Sequence, residues 1–561
     1  MRSTSLQKDN MIAKSTVTEA TTLSKEVRDQ IHQAIEEKLV TRIWEKDATV
    51  WKEDHKLQEA IEDRLGWLDV TDTMIEHRKE IVEFAEQVKK DGYTAVVMLG
   101  MGGSSLCVEV IRDTFGIKEG YPKLLILDST HPDQIHDIER SIDFAKTLFI
   151  VASKSGTTLE PNCYYDYFWE KLAHLGEDRR MHFCAITDPG TPLEKLGDER
   201  QFRHVFANPP DIGGRYSVLS YFGIVPAALI GVDIEELLSR ASSEAGLSRA
   251  EDERNTSLVL GVFLGSSARA GRDKLTIVTD PELRSFGYWA EQLIAESTGK
   301  EGKGILPIEG ESTEAARQQS EHRLYVHLTY GDHALGEEER TKPHHLELHV
   351  MERPSLGAQF FRWEFATAMA GYYLGINPFD EPNVAESKAK TNEMLSSYDG
   401  KTPLTFPDVK AMVDGVTIAG NDAGSGPLPQ VLDEWITKHT KPDSYIAIMA
   451  YLDRNEATML ALESLRDKLS LRHHLPVTVG FGPRFLHSTG QLHKGGPATG
   501  IYIQLIDSSK EDIAIPGKPY TFGTLILAQA IGDFEVLRKH DRPVINFNFG
   551  GEPIAKLSEI V

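Results

Sequence analysis

Cysteine is scarce in this chain. The 561 residues include three, Cys107, Cys163 and Cys184, and no two of them have Cys-x-x-Cys spacing. No disulfide framework is expected from so few, and a reducing cytoplasm is predicted. The sequence also lacks a run of about 18 apolar residues, so no membrane span is predicted. Its N-terminus, "MRSTSLQKDNMIAKSTVTEATTLS", lacks the apolar core of a secretory signal.

Positive charge is the second shortage. Lys and Arg total 61 against 85 Asp and Glu, which leaves a net charge of −24. General binding to nucleic acid or to an anionic membrane is excluded, because both need a basic surface. A small anionic ligand is still compatible, since only the field inside its own pocket has to be positive. The length of the chain exceeds what one core supports, so two or three domains are expected.

Two hydrophobic periodicities divide the chain. Helical spacing runs from Lys25 to about residue 90, and then short, nearly continuous apolar runs alternate with helical segments. Such runs are typical of parallel strands in a doubly wound sheet. The sequence therefore predicts an α/β protein with an N-terminal tail and helical segment (1–90) and two doubly wound αβα sandwich domains with mainly parallel sheets (91–240 and 241–561). The stretch 413–427 is predicted to be a loop.

Two loops that follow predicted strands suit an anion. "GMGGSSLCVEVI" (100–111) opens a helix, whose first N–H groups are unpaired, and its glycines let the backbone approach a ligand. A tight strand-to-helix turn explains this loop equally well. "SKSGTT" (153–158) places four hydroxyls in six residues, more than helix capping needs. Because ligands bind outside the carboxyl ends of the strands in open α/β sheets, the two loops predict a phosphate-sized site.

Four motifs resemble those of the phosphoglucose isomerase family, which is built from sugar isomerase (SIS) domains. They are "GMGGSS" with "SKSGTTLE", "PDIGGRYSVLSYFG" (210–223), "WAEQLIAESTGKEGKGILP" (289–307) and "GINPFDEPNVAESK" (375–388). The resemblance implies that both α/β domains are of SIS type. To the C-terminus the chain is similar to the isomerase half of bacterial transaldolase–phosphoglucose isomerase fusion proteins. Too few residues precede position 93 for a transaldolase barrel, so that activity is expected to be absent.

The resemblance implies two groups of substrate-binding residues. The first loop would contact the sugar through Gly103 and Ser104. Glu160 matches a family glutamate beside the second loop, although a glutamate at a helix N-terminus is favourable without such a role. The residues that match the family's phosphate ligands are Ser153, Lys154 (through its main chain), Ser155, Thr157 and Thr158.

Three further residues match the family's reacting groups. Arg215 would stabilise an oxyanion, because a guanidinium stays protonated. Glu296 is the candidate base, since one carboxylate can move a proton between neighbouring carbons. It shares a helix face with apolar side chains, where a carboxylate is costly without a role or a partner. Lys388 matches a lysine that assists ring opening. Glu381 stands where the family usually has glutamine and is included only as a binding residue.

The catalytic histidine has two candidates. In the family it lies between the glutamate and the lysine, where this chain offers His322 but no matching motif around it. "LHSTGQ" (486–491), far downstream, resembles the family's histidine segment, so His487 is predicted and His322 is the alternative. The second domain is therefore expected to have its elements in an altered or extended order. The residues after the strand at 476–481 also form a basic, glycine-rich loop suited to an anionic ligand.

The resemblance implies an enzyme of glycolysis and gluconeogenesis that interconverts glucose 6-phosphate and fructose 6-phosphate through a cis-enediol(ate). No cofactor and no metal are expected, and a homodimer is consistent with the family. Two alternatives stay open. One is a dual phosphoglucose/phosphomannose isomerase, since mannose 6-phosphate shares the same enediol. The other is a non-catalytic SIS-domain regulator, which would need the phosphate loop but not Arg215, Glu296 or Lys388.

Overall fold

The structure is a computed structural model that describes residues 23–318, 320–342, 344–420, 424, 426–509, 511–551 and 553–560. The predicted N-terminal tail up to residue 22 lies outside these residues. None of the helices described is both long and apolar enough to cross a membrane. The described chain begins with helices α1 (Lys25–Glu36), α2 (Leu39–Trp44), α3 (His55–Glu62) and α4 (Val70–Lys90), which confirm the helical spacing of this segment.

The first sheet is five-stranded and entirely parallel, in the order β2-β1-β3-β4-β5. Its strands are β1 (Ala95–Leu99), β2 (Lys123–Leu127), β3 (Thr147–Ala152), β4 (Phe183–Thr187) and β5 (His204–Ala207). The connecting helices are α5 (Leu106–Phe115), α6 (Pro132–Ser141), α7 (Leu159–Lys171) and α8 (Pro192–Arg200). Every residue of β1, β3 and β4 is buried, as strands covered on both faces require.

The second sheet is four-stranded and parallel, in the order β7-β6-β8-β9. Its strands are β6 (Lys274–Thr279), β7 (Leu306–Glu309), β8 (Arg323–Tyr330) and β9 (His345–Val350). The helices of this region are α9 (Tyr221–Leu229), α10 (Ile234–Leu247), α11 (Thr256–Arg269), α12 (Phe286–Thr298), α13 (Glu337–Arg340) and α14 (Leu356–Leu374). Helix α14 is buried along almost its whole length, which fits its apolar sequence.

The third sheet has six strands in the order β10-β11-β15-β14-β12-β13. They are β10 (Val409–Val413), β11 (Val416–Ala419), β12 (Tyr445–Tyr451), β13 (Val477–Phe481), β14 (Gly500–Ile506) and β15 (Val544–Asn548). Its helices are α15 (Val384–Ser397), α16 (Leu428–His439), α17 (Glu456–His473), α18 (Gly490–Gly495), α19 (Phe522–Lys539) and α20 (Pro553–Glu559). Strands β12 to β15 are parallel, and the β10–β11 hairpin is antiparallel.

The α/β class with mainly parallel sheets is confirmed, and the strands after residue 241 fall into two sheets. The loop predicted from residue 413 is wrong in its first part, because β10 and β11 form a hairpin over 409–419. Strand β10 is largely exposed at the edge of the sheet and β11 has only four residues, so neither gives a long apolar pattern to detect. Strands β5, β7 and β15 were not predicted either; β5 and β7 have four residues each, and β7 contains Pro307. The domain limits 1–90, 91–240 and 241–561 stay predictions.

Candidate active site

A cavity of about 270 Å³ lies beyond the carboxyl end of β3. Three separate parts of the chain form it: the loop after β3, the helix α15 and the turn after β13, with Gln529 of α19 closing one side. Its polar lining residues are Ser155, Thr157, Thr158, Glu160, Ser387, Lys388, Thr391, Asn392, His487 and Gln529. The fold therefore brings together residues that lie more than three hundred positions apart in sequence.

The loop 153–158 is held in shape by its own hydroxyl groups. The hydroxyls of Ser153 and Thr158 lie 2.8 Å apart, and those of Ser155 and Thr157 are also 2.8 Å apart. Gly156 has φ +66°, a backbone conformation that L side chains rarely adopt. Thr158 precedes the first residue of α7 but does not cap that helix. Its hydroxyl instead contacts that of Ser153 within the loop.

Two of the predicted loop residues face away from the cavity. The Lys154 ammonium pairs with Asp188 and donates to the carbonyl of Pro210 at 2.7 Å, so this side chain braces the loop from behind. Ser153 is buried and is not part of the cavity lining, although it contacts Thr158. The ammonium of Lys154 is therefore engaged with other residues, and a ligand contact through its main chain stays a prediction.

Glu160 and His487 form a buried pair at the floor of the cavity. Nε2 of His487 lies 3.1 Å from Oε1 of Glu160, and the same oxygen accepts a hydrogen bond of 2.7 Å from Gln529. Burial by itself would raise the pKa of Glu160. The charge of His487 and the hydrogen bonds outweigh burial, so the pKa of Glu160 is lowered. An ionised Glu160 accepts, so Nε2 of His487 carries a hydrogen and Nδ1 is the nitrogen left for proton exchange.

Lys388 is the exposed cation of the cavity. It lies on α15 and lines the cavity beside Thr158 and His487. Burial raises the pKa of Glu296, and the charge of Lys388 opposes that effect in part; at Glu160, Lys388 adds to the lowering of the pKa by His487. No ion pair or hydrogen bond joins its ammonium to another residue of the described chain, which leaves the ammonium available to a ligand.

Arg215 is buried and fully held by its neighbours. Nε donates to the hydroxyl of Ser297 at 2.8 Å, and Nη2 donates to the carbonyls of Pro378 and Asp380. Nη1 lies 3.1 Å from Glu381 and 3.6 Å from Glu296. A guanidinium fixed in this way supplies positive charge without having to reorganise during a reaction.

Glu296 lies on α12, 8 % exposed, and its Oε2 accepts a hydrogen bond of 3.1 Å from Gln292. Gln292 also donates to the main-chain carbonyl of His487 at 2.8 Å, so one amide joins the two sides of the site. Burial raises the pKa of Glu296; Arg215 opposes this effect and Glu381 adds to it. A carboxylate with a raised pKa is better matched to proton transfer near neutral pH.

Glu381 makes an ion pair that a glutamine could not make. The carboxylate of Glu381 faces Nη1 of Arg215. Burial by itself would raise the pKa of Glu381, but the charge of Arg215 outweighs it and the pKa is lowered. Behind it, Lys300 contacts Asp380 at 2.8 Å. Burial and then the charge of Arg215 lower the pKa of Lys300 to about 8. The region around Arg215 therefore carries two carboxylates from one short segment, Asp380 and Glu381.

The first glycine loop packs directly against the turn that carries Arg215 and against Gln292 and His487. At Gly103 an added Cβ would lie 1.9 Å from the carbonyl of Gly214, so only glycine fits beside the Arg215 turn. At Gly102 it would lie 2.9 Å from both the Gln292 amide and the His487 carbonyl. Ser104 follows in the same short 3₁₀ turn. The requirement for close approach, rather than a dinucleotide motif, explains these glycines.

The alternative histidine lies elsewhere. Nδ1 of His322 contacts the carbonyl of Gly271 at 3.3 Å, next to the start of β8, and His322 is not part of the cavity lining. The basic loop after β13 does not present its charges to a ligand as expected. Arg484 is buried against Glu109 and Asp128, and Lys494 is buried against Asp533. These cations are neutralised inside the protein.

Two residues of the site were not predicted from the sequence. Gln292 lies four residues before Glu296, the helical spacing that places two side chains on one face, so this spacing was a usable signal. Gln529 lies in "PYTFGTLILAQAIGD", which resembles a family helix, but no spacing rule relates it to Glu160. Its amide oxygen accepts from Thr130 at 2.7 Å, which fixes the direction of its donor group.

Comparison with known proteins gives one family. Residues 66–320 match the family model for phosphoglucose isomerase. The chain is 29 % identical over 379 residues to a probable glucose-6-phosphate isomerase of Methanococcus maripaludis, a match that covers 59 % of this chain and 84 % of the relative. It is 28 % identical over 397 residues to the glucose-6-phosphate isomerase of Staphylococcus saprophyticus, with 61 % and 89 % of the two chains covered.

Two solved structures share the fold. One is a hypothetical protein from Thermus thermophilus, with a TM-score of 0.57, 22 % identity, and coverage of 67 % of this chain and all of that one. The other is a glucose-6-phosphate isomerase from Chlamydia trachomatis, with a TM-score of 0.52, 18 % identity, and coverage of 70 % and 96 %.

Proposed function

The chain belongs to the phosphoglucose isomerase family, and we propose that it interconverts glucose 6-phosphate and fructose 6-phosphate. The observation that carries the proposal is the convergence of the hydroxyl loop, Lys388 and the Glu160–His487 pair on one cavity. Glu296 and Arg215 do not line this cavity, but Gln292 joins Glu296 to the main chain of His487. A hexose phosphate has one anionic end and one reactive end, and the proposal assigns the hydroxyl loop to the first and the carboxylates with His487 to the second.

The phosphate would bind at the loop 153–158. Ser155, Thr157 and Thr158 line the cavity with hydroxyl groups that can donate to phosphate oxygens, and α7 starts directly behind them. Lys388 adds positive charge on the opposite wall. Since the loop contacts no reacting carbon in this arrangement, its role is to hold the substrate in register.

Ring opening would be assigned to His487. With Nε2 donating to the ionised Glu160, Nδ1 would accept the proton of the C1 hydroxyl as the C1–O5 bond breaks and would return it to O5, and Glu160 would stabilise the imidazolium formed between the two transfers. Gln529 holds Glu160 from the other side. The proposed acid–base pair therefore comes from one chain and does not require a residue from a second copy. The homodimer stays a prediction from the resemblance.

Glu296 would move the proton between C2 and C1 of the open sugar. Removal of the C2 proton leaves an enediolate, and the same carboxylate returns the proton to C1. Arg215, 3.6 Å from Glu296, would stabilise the negative oxygen. Burial raises the pKa of Glu296, which makes it a stronger base than an exposed glutamate. The proposed place of this reaction is the cytoplasm, in agreement with three buried, unpaired cysteines.

The test is the Glu296→Gln variant, assayed with glucose 6-phosphate and with mannose 6-phosphate. We expect kcat for glucose 6-phosphate to fall by about 10²-fold or more, the usual contribution of a general base, while binding of the phosphate is retained. If Glu296→Gln keeps most of the wild-type kcat, the assignment of Glu296 as the base is wrong.

The same wild-type assay separates the alternatives. Turnover of mannose 6-phosphate at a comparable rate would make the protein a dual isomerase. Tight binding of hexose phosphates without turnover of either substrate would support a sugar-phosphate-binding regulator and overturn the isomerase proposal. We expect turnover of glucose 6-phosphate, because the buried pairs around Glu296 and Glu160 are costly features that a simple binding module does not need.

A further inference from the structure

Gln491 lies on α18, four residues after His487, and is fully buried. Its side-chain amide joins α18 to two other parts of the chain. Oε1 accepts a hydrogen bond of 2.8 Å from the main-chain N–H of Asn383. Nε2 donates to the carbonyl of Gly299 and to Oδ1 of Asn383, each at 2.8 Å. Both hydrogens of the amide and its oxygen are therefore in use.

The two partners of Gln491 lie at helix ends. Gly299 follows the last residue of α12, and Asn383 precedes the first residue of α15. A helix leaves carbonyl groups unpaired at its end and N–H groups unpaired at its start, and the amide serves one of each. The side chain of Asn383 does not cap α15 and accepts from Gln491 instead. One side chain therefore fixes the end of α12 against the start of α15.

The chain around this amide is closely packed. At Gly495 an added Cβ would overlap with Oδ1 of Asn383 and approach Nε2 of Gln491, and at Gly299 it would overlap with the main chain of Leu492. Close approach therefore explains both glycines. A main-chain hydrogen bond of 2.9 Å from Gly302 to Gly495 also holds α18 beside the end of α12. The amide of Gln491 is therefore needed mainly to fix α15.

Each of the three joined elements carries a candidate reacting group. Glu296 lies three residues before Gly299, Lys388 lies five residues after Asn383, and His487 lies four residues before Gln491. A shift of α15 would move Lys388 relative to the other two groups. Because a misplacement of about 1 Å can cost about 10²-fold in rate, a contact outside the cavity can affect the reaction.

We propose that Gln491 is a positioning residue that fixes the start of α15, and with it Lys388, against the elements that carry Glu296 and His487. This assignment rests on the proposed function, which gives those three groups their roles. Gln491 does not line the candidate cavity and would touch no substrate. None of the hydrogen bonds of its side chain reaches the loop 153–158. Its loss should therefore lower kcat more than it raises KM.

The Gln491→Met variant tests the assignment, because methionine removes the amide and nearly keeps the volume. We expect kcat for glucose 6-phosphate, per folded molecule, to fall by about tenfold or more, with a change in KM of less than about threefold. Steady-state kinetics give both constants, and urea unfolding followed by circular dichroism gives the folded fraction. An unchanged kcat per folded molecule would overturn the proposal.

The matched control is Gln504→Met, which removes another fully buried glutamine. Oε1 of Gln504 accepts from Asn546 and Nε2 donates to the carbonyl of Ala530, both at 2.9 Å, and Gln504 does not line the cavity. This variant should lose stability but keep the wild-type kcat per folded molecule. An equal fall of kcat in both variants would mean that Gln491 has only a structural role, which would overturn the proposal.

A double variant tests whether Gln491 acts through Asn383. Asn383→Ala removes one of the three hydrogen bonds and should lower kcat less than Gln491→Met does. Because both changes break the same link, Gln491→Met/Asn383→Ala should have about the kcat of Gln491→Met alone. Effects of the two changes that simply multiply would contradict positioning through Asn383.

Hydrogen–deuterium exchange separates this proposal from the proposed function. In Gln491→Met the amides at the start of α15 should exchange faster than in the wild type, while those of the loop 153–158 should keep the wild-type rate. Unchanged exchange at the start of α15 would overturn the proposal even if the wild type is active. No turnover by the wild type would overturn the proposed function, and the exchange rates would still decide whether Gln491 fixes α15.

Discussion

At the scale of single residues, Glu381 is the departure with the clearest physical consequence. A carboxylate stands where the family usually has a neutral amide, 3.1 Å from Arg215. It offsets part of the charge of the guanidinium and raises the pKa of Glu296. The side chain of Glu381 is 50 % exposed, however, so water screens much of this effect. The substitution should therefore tune the base rather than change the reaction.

The Glu381→Gln variant should move the acid limb of the kcat/KM profile to lower pH. Removing the negative charge lowers the pKa of Glu296, and Glu296 has to be ionised to act as a base. The shift should be less than about one pH unit, because the removed charge is half exposed. The measurement is kcat/KM for glucose 6-phosphate from pH 5 to 9.

Glu386→Gln is the matched control for this profile. Glu386 contacts Lys539 and His540 at the surface and does not line the cavity, so its profile should follow the wild type. An acid limb that stays in place or moves to higher pH in Glu381→Gln would show that Glu381 does not act on the base.

At the scale of elements, the loop 153–158 is the part whose role the sequence predicted most directly. Its hydroxyls bond to one another in pairs, and Gly156 provides the positive φ that the turn requires. The site needed more than this loop, however. His487 enters from a turn after β13 and Lys388 from α15, and no sequence pattern relates either element to the loop.

The Thr158→Ala variant should raise KM by about tenfold and change kcat little. One lost hydrogen bond to a phosphate oxygen is worth on the order of 1–2 kcal/mol, and this contact is the same in the ground state and the transition state. Steady-state kinetics with glucose 6-phosphate measure both constants. Thr402→Ala, which removes an exposed hydroxyl elsewhere, is the control. A large fall in kcat with KM unchanged would contradict a purely binding role.

At the scale of the whole molecule, Arg484 ties the first sheet to the third. Arg484 lies in the turn after β13. Its Nη1 contacts Asp128 at 2.9 Å, and its Nη2 pairs with Glu109, which also forms an ion pair with Arg454. Burial by itself would raise the pKa of Glu109, but the charges of Arg454 and Arg484 outweigh it and hold the pKa well below its usual range. Because a lowered pKa means that the folded state prefers the ionised form, this contribution is lost only as the pH falls into the acid range.

The Arg484→Met variant should lower the free energy of unfolding by about 3 kcal/mol at pH 7, since it leaves Asp128 and Glu109 buried with fewer partners. Urea unfolding followed by circular dichroism measures the change, and the difference from the wild type should shrink below about pH 4, where unfolded glutamates are protonated. Arg254→Met, at an exposed ion pair, should leave the stability nearly unchanged. Equal stability of Arg484→Met and the wild type would show that the tie is not stabilising.

The sequence by itself determined the α/β class and the buried parallel strands, and it predicted the hydroxyl loop 153–158 as a phosphate site, because these inferences depend on local patterns: apolar runs, glycines and clustered hydroxyls at strand ends. The resemblance to the phosphoglucose isomerase family added Arg215, Glu296 and Lys388 as candidate site residues, each within its own motif. Short strands such as β5 and β7 were not predicted, because four residues give too little hydrophobic periodicity.

Only the tertiary structure shows that His487, and not His322, lies beside Glu160, because the two residues approach each other across 327 positions of sequence; the catalytic role of His487 stays a prediction. It also brought Gln292 and Gln529 into the site and turned the charges of Lys154, Arg484 and Lys494 inward. The physical reason is the same in each case. Electrostatic and hydrogen-bond partners are chosen by distance in space, and sequence patterns report only distance along the chain.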